Sequence, residues 1–258
     1  MKIVLVGYGN VATILGERMK SAGHEIIQVI GRDEARARQL AQQLGAEGSA
    51  NWKELKGKMD LYLVAIADRA LPDLAGLMQL QDELVVHTAG AVEGNVLAPI
   101  SSSYGVFYPL QSLRDHQPKT RSIPVLLEAN TGEGLALLQQ LARSMDSPYQ
   151  MADGEQRLRM HLSAVWVNNF SNYLFSVAYQ LCRENYLEFS LLQPLIQETI
   201  ARIDSGDPFR FQTGPAMRGD APTMEKHLAL MEGHPQWQEL YRQLSGLIRE
   251  AVDTSKPV

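Results

Sequence analysis

In the first half of the chain, apolar residues come in short, nearly unbroken runs: Ile3 to Val6, Glu25 to Ile30, Leu61 to Ala67, Leu84 to Thr88, Gly105 to Tyr108 and Ile123 to Glu128. Runs of this kind, rich in β-branched residues and without polar alternation, are what strands buried on both faces of a parallel sheet require. Between them lie Val11 to Ser21, Ala35 to Leu44, Leu71 to Leu80 and Gly134 to Met145, whose apolar residues recur every three or four positions and predict helices. Strand and helix in alternation predict an α/β architecture with a doubly wound, mostly parallel sheet. After Ser147 and Pro148 the strand-like runs stop. Helical patterns follow over Gly154 to Asn185, Pro194 to Asp204, Thr223 to Met231 and Gln236 to Val252, so a boundary near Gln150 separates an α/β domain (1–150) from an all-α domain (151–258). Ser205 to Pro222, rich in Gly and Pro, reads as an ordered loop.

The first strand runs directly into Gly7-Tyr8-Gly9-Asn10-Val11-Ala12 and then into a helix. In that setting Gly7 permits a tight turn, Gly9 lets the backbone approach a pyrophosphate, and Ala12 stands where helix and strand pack closely. The free amides of the helix would meet the phosphates. This is the Rossmann dinucleotide pattern, and the competing reading is a strand-to-helix turn without a ligand. At the end of the second strand, where an NAD site carries Asp or Glu, the chain reads Gly31-Arg32-Asp33. Arg32 suits a 2′-phosphate and points to NADP over NAD. Against this, Asp33 could bind the ribose one residue late, or Arg32 could be an ordinary solvated side chain. The strand ends at Ala67-Asp68 and His87-Thr88-Ala89-Gly90 should border the same ligand, since open sheets bind at the carboxyl ends of their strands. Asp68 could instead cap a helix beginning near Leu71, and His87 could simply bond a backbone carbonyl.

On the long predicted helix, His161, Asn168 and Asn172 fall within about 20° of one line at 3.6 residues per turn. The other faces carry Leu162, Val165, Trp166, Phe170, Leu174 and Phe175, which predicts burial on several sides and amides in need of partners. The stripe is either a substrate site or a structural network. His161 is the candidate proton donor, with Asn168 and Asn172 orienting a substrate. Gln111, after Tyr108-Pro109-Leu110, should face the cleft. Thr213 to Asp220 offers Thr213 and Arg218 as substrate contacts, Arg218 as part of an anion site or paired with Asp220.

The formal net charge of -5, with 24 Lys and Arg against 29 Asp and Glu, comes without any basic block, which argues against a nucleic-acid groove or an anionic membrane surface. The lone Cys182 cannot form an internal disulfide, and no His/Cys spacing suggests a zinc site. A cytoplasmic protein with a small-molecule substrate, and no metal, is expected; no apolar stretch reaches the ~18 residues of a membrane span.

These residues together resemble a bacterial family of Rossmann-like proteins with a C-terminal domain of unknown function, labelled NADP oxidoreductases or deazaflavin-coenzyme-dependent NADP reductases. The resemblance runs the length of the chain. It is carried by Gly7 to Ala12, Gly31-Arg32, His87 to Gly90, Gly105 to Gln111, His161 to Asn172, Thr213-Gly214-Pro215 and Arg218-Gly219-Asp220. More distantly the chain is similar to pyrroline-5-carboxylate reductase and the β-hydroxyacid dehydrogenases. The resemblance implies NADP binding and a homodimer through the helical domain. It departs from the dehydrogenases in lacking their helix lysine four residues before an Asn; Arg157 and His161 stand on the helix instead. The expected activity is hydride transfer between NADP(H) and a carbonyl, an imine or a deazaflavin coenzyme. The alternative is a non-catalytic NADP-binding sensor or partner protein.

Overall fold

The computed structural model describes residues 1–114 and 122–254. The chain divides into two compact units, Met1–Phe170 and Ser171–Val258. The pattern change near Gln150 falls just before the first helix of the all-α stretch, whereas the compact units part sixteen to twenty residues later, between Phe170 and Ser171.

The first unit is built on one eight-stranded sheet. Its strands are β1 (Lys2–Val6), β2 (Glu25–Ile30), β3 (Glu47–Ser49), β4 (Leu61–Val64), β5 (Val85–His87), β6 (Tyr104–Pro109), β7 (Val125–Ala129) and β8 (Tyr149–Met151). They lie in the order β3-β2-β1-β4-β5-β6-β7-β8. All neighbouring pairs are parallel except β6 and β7. The chain leaves β1 toward β2 on one side and returns to β4 on the other, so the β1/β4 junction is the topological switch point, where such sheets bind ligands.

The continuous apolar character of β1 has a direct cause. Ile3 and Leu5 face one core with Leu15 and Met19 of α1 (Asn10–Ser21) and Leu40 and Leu44 of α2 (Glu34–Leu44). Val4 and Val6 face a second core with Tyr62, Val64, Leu71 and Leu74. All four β1 side chains are fully buried, each stabilising the fold by about 2 kcal/mol. The first core also takes in Leu138, Leu141 and Ala142 of α3 (Gly132–Ser144).

Two expectations change here. The helix predicted over Leu71 to Leu80 is absent: 3-10 turns at Asp68–Ala70 and Pro72–Gly76 take its place. Pro72 and Gly76 interrupt a pattern whose apolar residues, Leu71, Leu74 and Met78, are nonetheless buried. The short β3 and β8, which the apolar runs do not mark, complete the sheet at its two edges.

The long helical stretch begins with α4 (Gly154–Ala164), capped reciprocally by Asp153 and Gln156, and passes through a π-helical segment at Val165–Phe170. The second unit comprises α5 (Ser171–Glu184), α6 (Gln193–Ala201), α7 (Pro215–Arg218), α8 (Ala221–Ala229) and α9 (Pro235–Thr254). Gly214 at φ +108° and Gly219 at φ +67° bracket α7 in conformations that favour glycine. His227 meets the Tyr241 hydroxyl at 2.8 Å, and His234 stacks on Trp237 while pairing with Glu184. No helix among the described residues is long and apolar enough to cross a membrane.

Candidate nucleotide site and acid group

A cleft of about 520 Å³ opens over the carboxyl ends of β1, β2 and β4. Of the residues expected to bind a dinucleotide, Gly7, Tyr8, Gly9, Asn10, Val11, Gly31, Arg32, Ala67, Asp68 and Thr88 line it. Ala12 does not; it belongs to α1 and is fully buried in the first core, in keeping with its packing role. Ala89 is also buried, and Gly90 lies under His161.

The two glycines of the turn answer to different causes. Gly7 has φ +117°, and a Cβ there would collide with the Ala65 carbonyl, so the fold itself requires glycine. Gly9 has φ -82° and nothing within 4 Å of where its Cβ would stand. Neither backbone strain nor protein crowding explains Gly9. The open space beside it, at the amino end of α1, is what a pyrophosphate approaching the main chain needs.

At the β2 end, the Tyr8 ring lies against Gly31, where a Cβ would come within 2.5 Å of the ring, and the Arg36 guanidinium sits 4.7 Å over its centroid. Asp33 is engaged as the N-cap of α2, accepting from the Arg36 amide at 3.1 Å, so its carboxylate serves the helix. Arg32 and Arg36 thus bring two guanidinium groups to this end of the cleft. Arg36 and Trp52 line the cleft without having been singled out by the sequence pattern. The spacing of Arg36 four residues after Arg32, on the first turn of α2, is the signal that would have found it.

Asp68 does not cap a helix: the 3-10 turn that it begins has Ala67 at its N-cap and no side-chain cap. His87 is structural. It is fully buried, its Nδ1 accepts from the Ala89 amide at 3.1 Å, and Nε2 lies 3.3 Å from the Glu93 carbonyl. A ring accepting at Nδ1 carries its hydrogen on Nε2, and burial lowers its pKa to about 4.

His161 stands on α4 with Nδ1 2.9 Å from the Tyr108 hydroxyl at the end of β6, the two rings edge to face. One turn earlier, Arg157 is buried, paired with Glu128 of β7 and donating to the Val92 carbonyl at 2.6 Å. That clamp holds α4 to the sheet. Burial and the nearby Asp68 carboxylate push the Tyr108 hydroxyl up from its ordinary pKa.

The polar stripe is not assembled as expected. The π-helical segment changes the winding between His161 and Asn168, so 3.6-residue spacing no longer aligns them. Asn168 and Asn172 are both exposed, and Asn172 belongs to the second unit. The expectation of a helix buried on several sides also fails within the chain: Leu162, Trp166, Phe170, Leu174 and Phe175 are exposed. Gln111 is exposed, and its side-chain oxygen accepts from the Ser112 amide. Thr213 and Arg218 are exposed on the second unit, where Asp220 caps α8 through the Thr223 amide. Among the described residues no cluster of side chains could hold a metal ion.

Comparison with known proteins bears on this cleft. Residues 2–90 match the family described as NADP oxidoreductase, coenzyme F420-dependent, and residues 123–248 match a domain of unknown function, DUF2520. The crystal structure of BF3122 from Bacteroides fragilis, provisionally labelled an NADP oxidoreductase, is 37% identical over 96% of this chain and 98% of that one, with a TM-score of 0.88. Two more distant structures share the fold. One is 1-pyrroline-5-carboxylate reductase from Streptococcus pyogenes (15% identity, 97% and 98% coverage, TM-score 0.68). The other is an imine reductase from Myxococcus stipitatus in complex with NADP+ (14% identity, 99% and 95% coverage, TM-score 0.65). No curated protein gives a significant match.

The fold and the cleft define a dinucleotide-dependent oxidoreductase. The chain belongs to the NADP oxidoreductase family that includes the B. fragilis protein, and NADP is its cofactor.

Proposed function

We propose that the protein reduces a small molecule bearing a polarised carbon–oxygen or carbon–nitrogen double bond, as a cytoplasmic homodimer, with His161 supplying the proton. The observation that carries this reading is the position of His161. It stands over Gly90, two residues beyond Thr88, which lines the nucleotide cleft. Bound NADPH supplies a hydride. The chain's own contribution is to hold the nucleotide with the Gly7–Val11 main chain and Arg32, and to present an acid where negative charge develops on the heteroatom.

Asn168 and Gln111, exposed on the same compact unit as His161, are proposed to orient the substrate. Helix faces that leave Trp166, Phe170, Leu174 and Phe175 exposed in the single chain support the homodimer, since monomers seldom expose so many neighbouring large apolar side chains. A second reading is favoured by the coenzyme F420-dependent description of the matched family: a deazaflavin as hydride partner, its phosphate held by Arg218.

The test follows NADPH oxidation against a panel of aldehydes, ketones, cyclic imines and a deazaflavin. Turnover of a carbonyl or imine, lost at least tenfold in His161→Ala with NADPH affinity kept, is expected. Turnover of the deazaflavin alone, weakened by Arg218→Ala and indifferent to His161, would replace this reading. Binding without any turnover would overturn both.

A further inference from the structure

His161 has two ring nitrogens, and only one can face a substrate. Nδ1 lies 2.9 Å from the Tyr108 hydroxyl, whereas Nε2 meets no hydrogen-bonding partner among the described residues. The pair is held from three sides. Tyr108 is set by β6, and α4 is fixed one turn before His161 by the buried Arg157 and its partner Glu128.

The third side is Gly90. A Cβ there would come within 2.9 Å of His161 Nδ1 and 3.0 Å of the Tyr108 ring. Gly90 does not have a positive φ, so no turn demands glycine at this point. The missing side chain is explained by the two rings it lets in.

Resting on the reading of His161 as acid, we propose that Tyr108 is its positioning residue: the phenol oxygen accepts the Nδ1 hydrogen of the His161 imidazolium, leaving Nε2 as the nitrogen that delivers the proton. An imidazolium donates at both nitrogens, so the part-buried Nδ1–H calls for an acceptor, and a hydroxyl can be one. The phenol does not give up its own proton, because burial and Asp68 both disfavour a phenolate. In the step, the electron pair released onto the heteroatom as the carbon is reduced takes the proton from Nε2. The N–H bond breaks, the bond from heteroatom to hydrogen forms, and the imidazolium becomes neutral imidazole. Nδ1 keeps its hydrogen and its bond to Tyr108, so the ring does not swing between turnovers.

Proton and nitrogen NMR of histidine-labelled full-length protein, in the imidazolium form and without any substrate, tests this directly. The expected result is a His161 Nδ1 hydrogen protected from solvent exchange at least tenfold more than the Nε2 hydrogen, with that protection lost in Tyr108→Phe. Gly90→Ala, whose Cβ would press on both His161 Nδ1 and the Tyr108 ring, is expected to lose it too and serves where the phenylalanine variant does not fold. Protection at Nε2 instead, or protection at Nδ1 unchanged in a folded variant, overturns the proposal. Because no turnover is needed, an inactive protein with the protected Nδ1 hydrogen would sink the assigned reaction while sustaining the geometry. With an active substrate from the panel, Tyr108→Phe should lower kcat about tenfold and leave the NADPH dissociation constant unchanged; a change in NADPH affinity alone would contradict the role.

Discussion

The sheet-bearing unit and the helical unit use their apolar residues in opposite ways. In the first, apolar runs disappear into two cores, one on each face of the sheet, and the strand ends are left to carry polar chemistry. In the second, Ala216 and Met231 are the apolar residues buried among those described, while Tyr173, Leu174, Phe175, Leu191, Leu195 and Phe209 are exposed. Through β8 the first unit satisfies its own sequence, whereas its α4 and π-helical stretch leaves Leu162, Trp166 and Phe170 exposed. The other carries an amphipathic pattern whose apolar side is not consumed within its own chain, which is the ground on which a partner copy is proposed.

That contrast can be broken at several points. The largest effect is expected at Arg157, where the first unit buries a charge. Arg157→Met removes a fully buried guanidinium and leaves the partly exposed Glu128 and the Val92 carbonyl without it, and should cost about 3 kcal/mol in urea unfolding, the low end for breaking a buried pair. A loss under about 1 kcal/mol would mean that α4 is not pinned by this pair.

Next comes His87. Its folded pKa is lowered to about 4 from 6.5, so as pH falls the unfolded chain takes up a proton first. Its contribution is complete above the unfolded pKa, is lost as pH falls through that window, and levels off near the folded value. The loss should approach about 3 kcal/mol, read as the amount by which the difference between urea melts at neutral and acidic pH shrinks in His87→Gln.

On the helical side, Leu174→Glu with Phe175→Glu should shift the intrinsic stability of the chain by only about 0.5 kcal/mol per site. The same variant should convert a dimer to monomer in light scattering. A wild-type protein that is monomeric at tens of micromolar would remove the contrast between self-sufficient and partner-dependent regions.

What the sequence made legible follows the same division. Buried strands announce themselves by continuous hydrophobicity, and the glycine turn announces the nucleotide. Their polarity of pairing does not show, because β7 reads the same whether parallel or antiparallel to β6. Edge strands such as Glu47-Gly48-Ser49 have too few apolar residues to register, and Leu71 to Leu80 kept a helical period while Pro72 and Gly76 broke the helix. The His161 stripe failed because spacing arithmetic assumes uniform winding, and the π-helical segment violates it. Tyr108 was hidden for a different reason: its partner is 53 residues away, and only the tertiary fold shows that the two rings meet.

The central claim is that the cleft at the switch point is shaped for NADP, and Gly9 tests it most directly. A Cβ at Gly9 meets no protein atom within 4 Å, so Gly9→Ala should stay folded and lose no more than a helix cap is worth, about 1 kcal/mol. Calorimetric titration should show saturable NADPH binding to the wild type, tighter than NADH, and at least about tenfold weaker NADPH binding to the variant, or ~1.4 kcal/mol. Undiminished NADPH affinity in a folded Gly9→Ala protein, or no saturable binding to the wild type, would contradict the account.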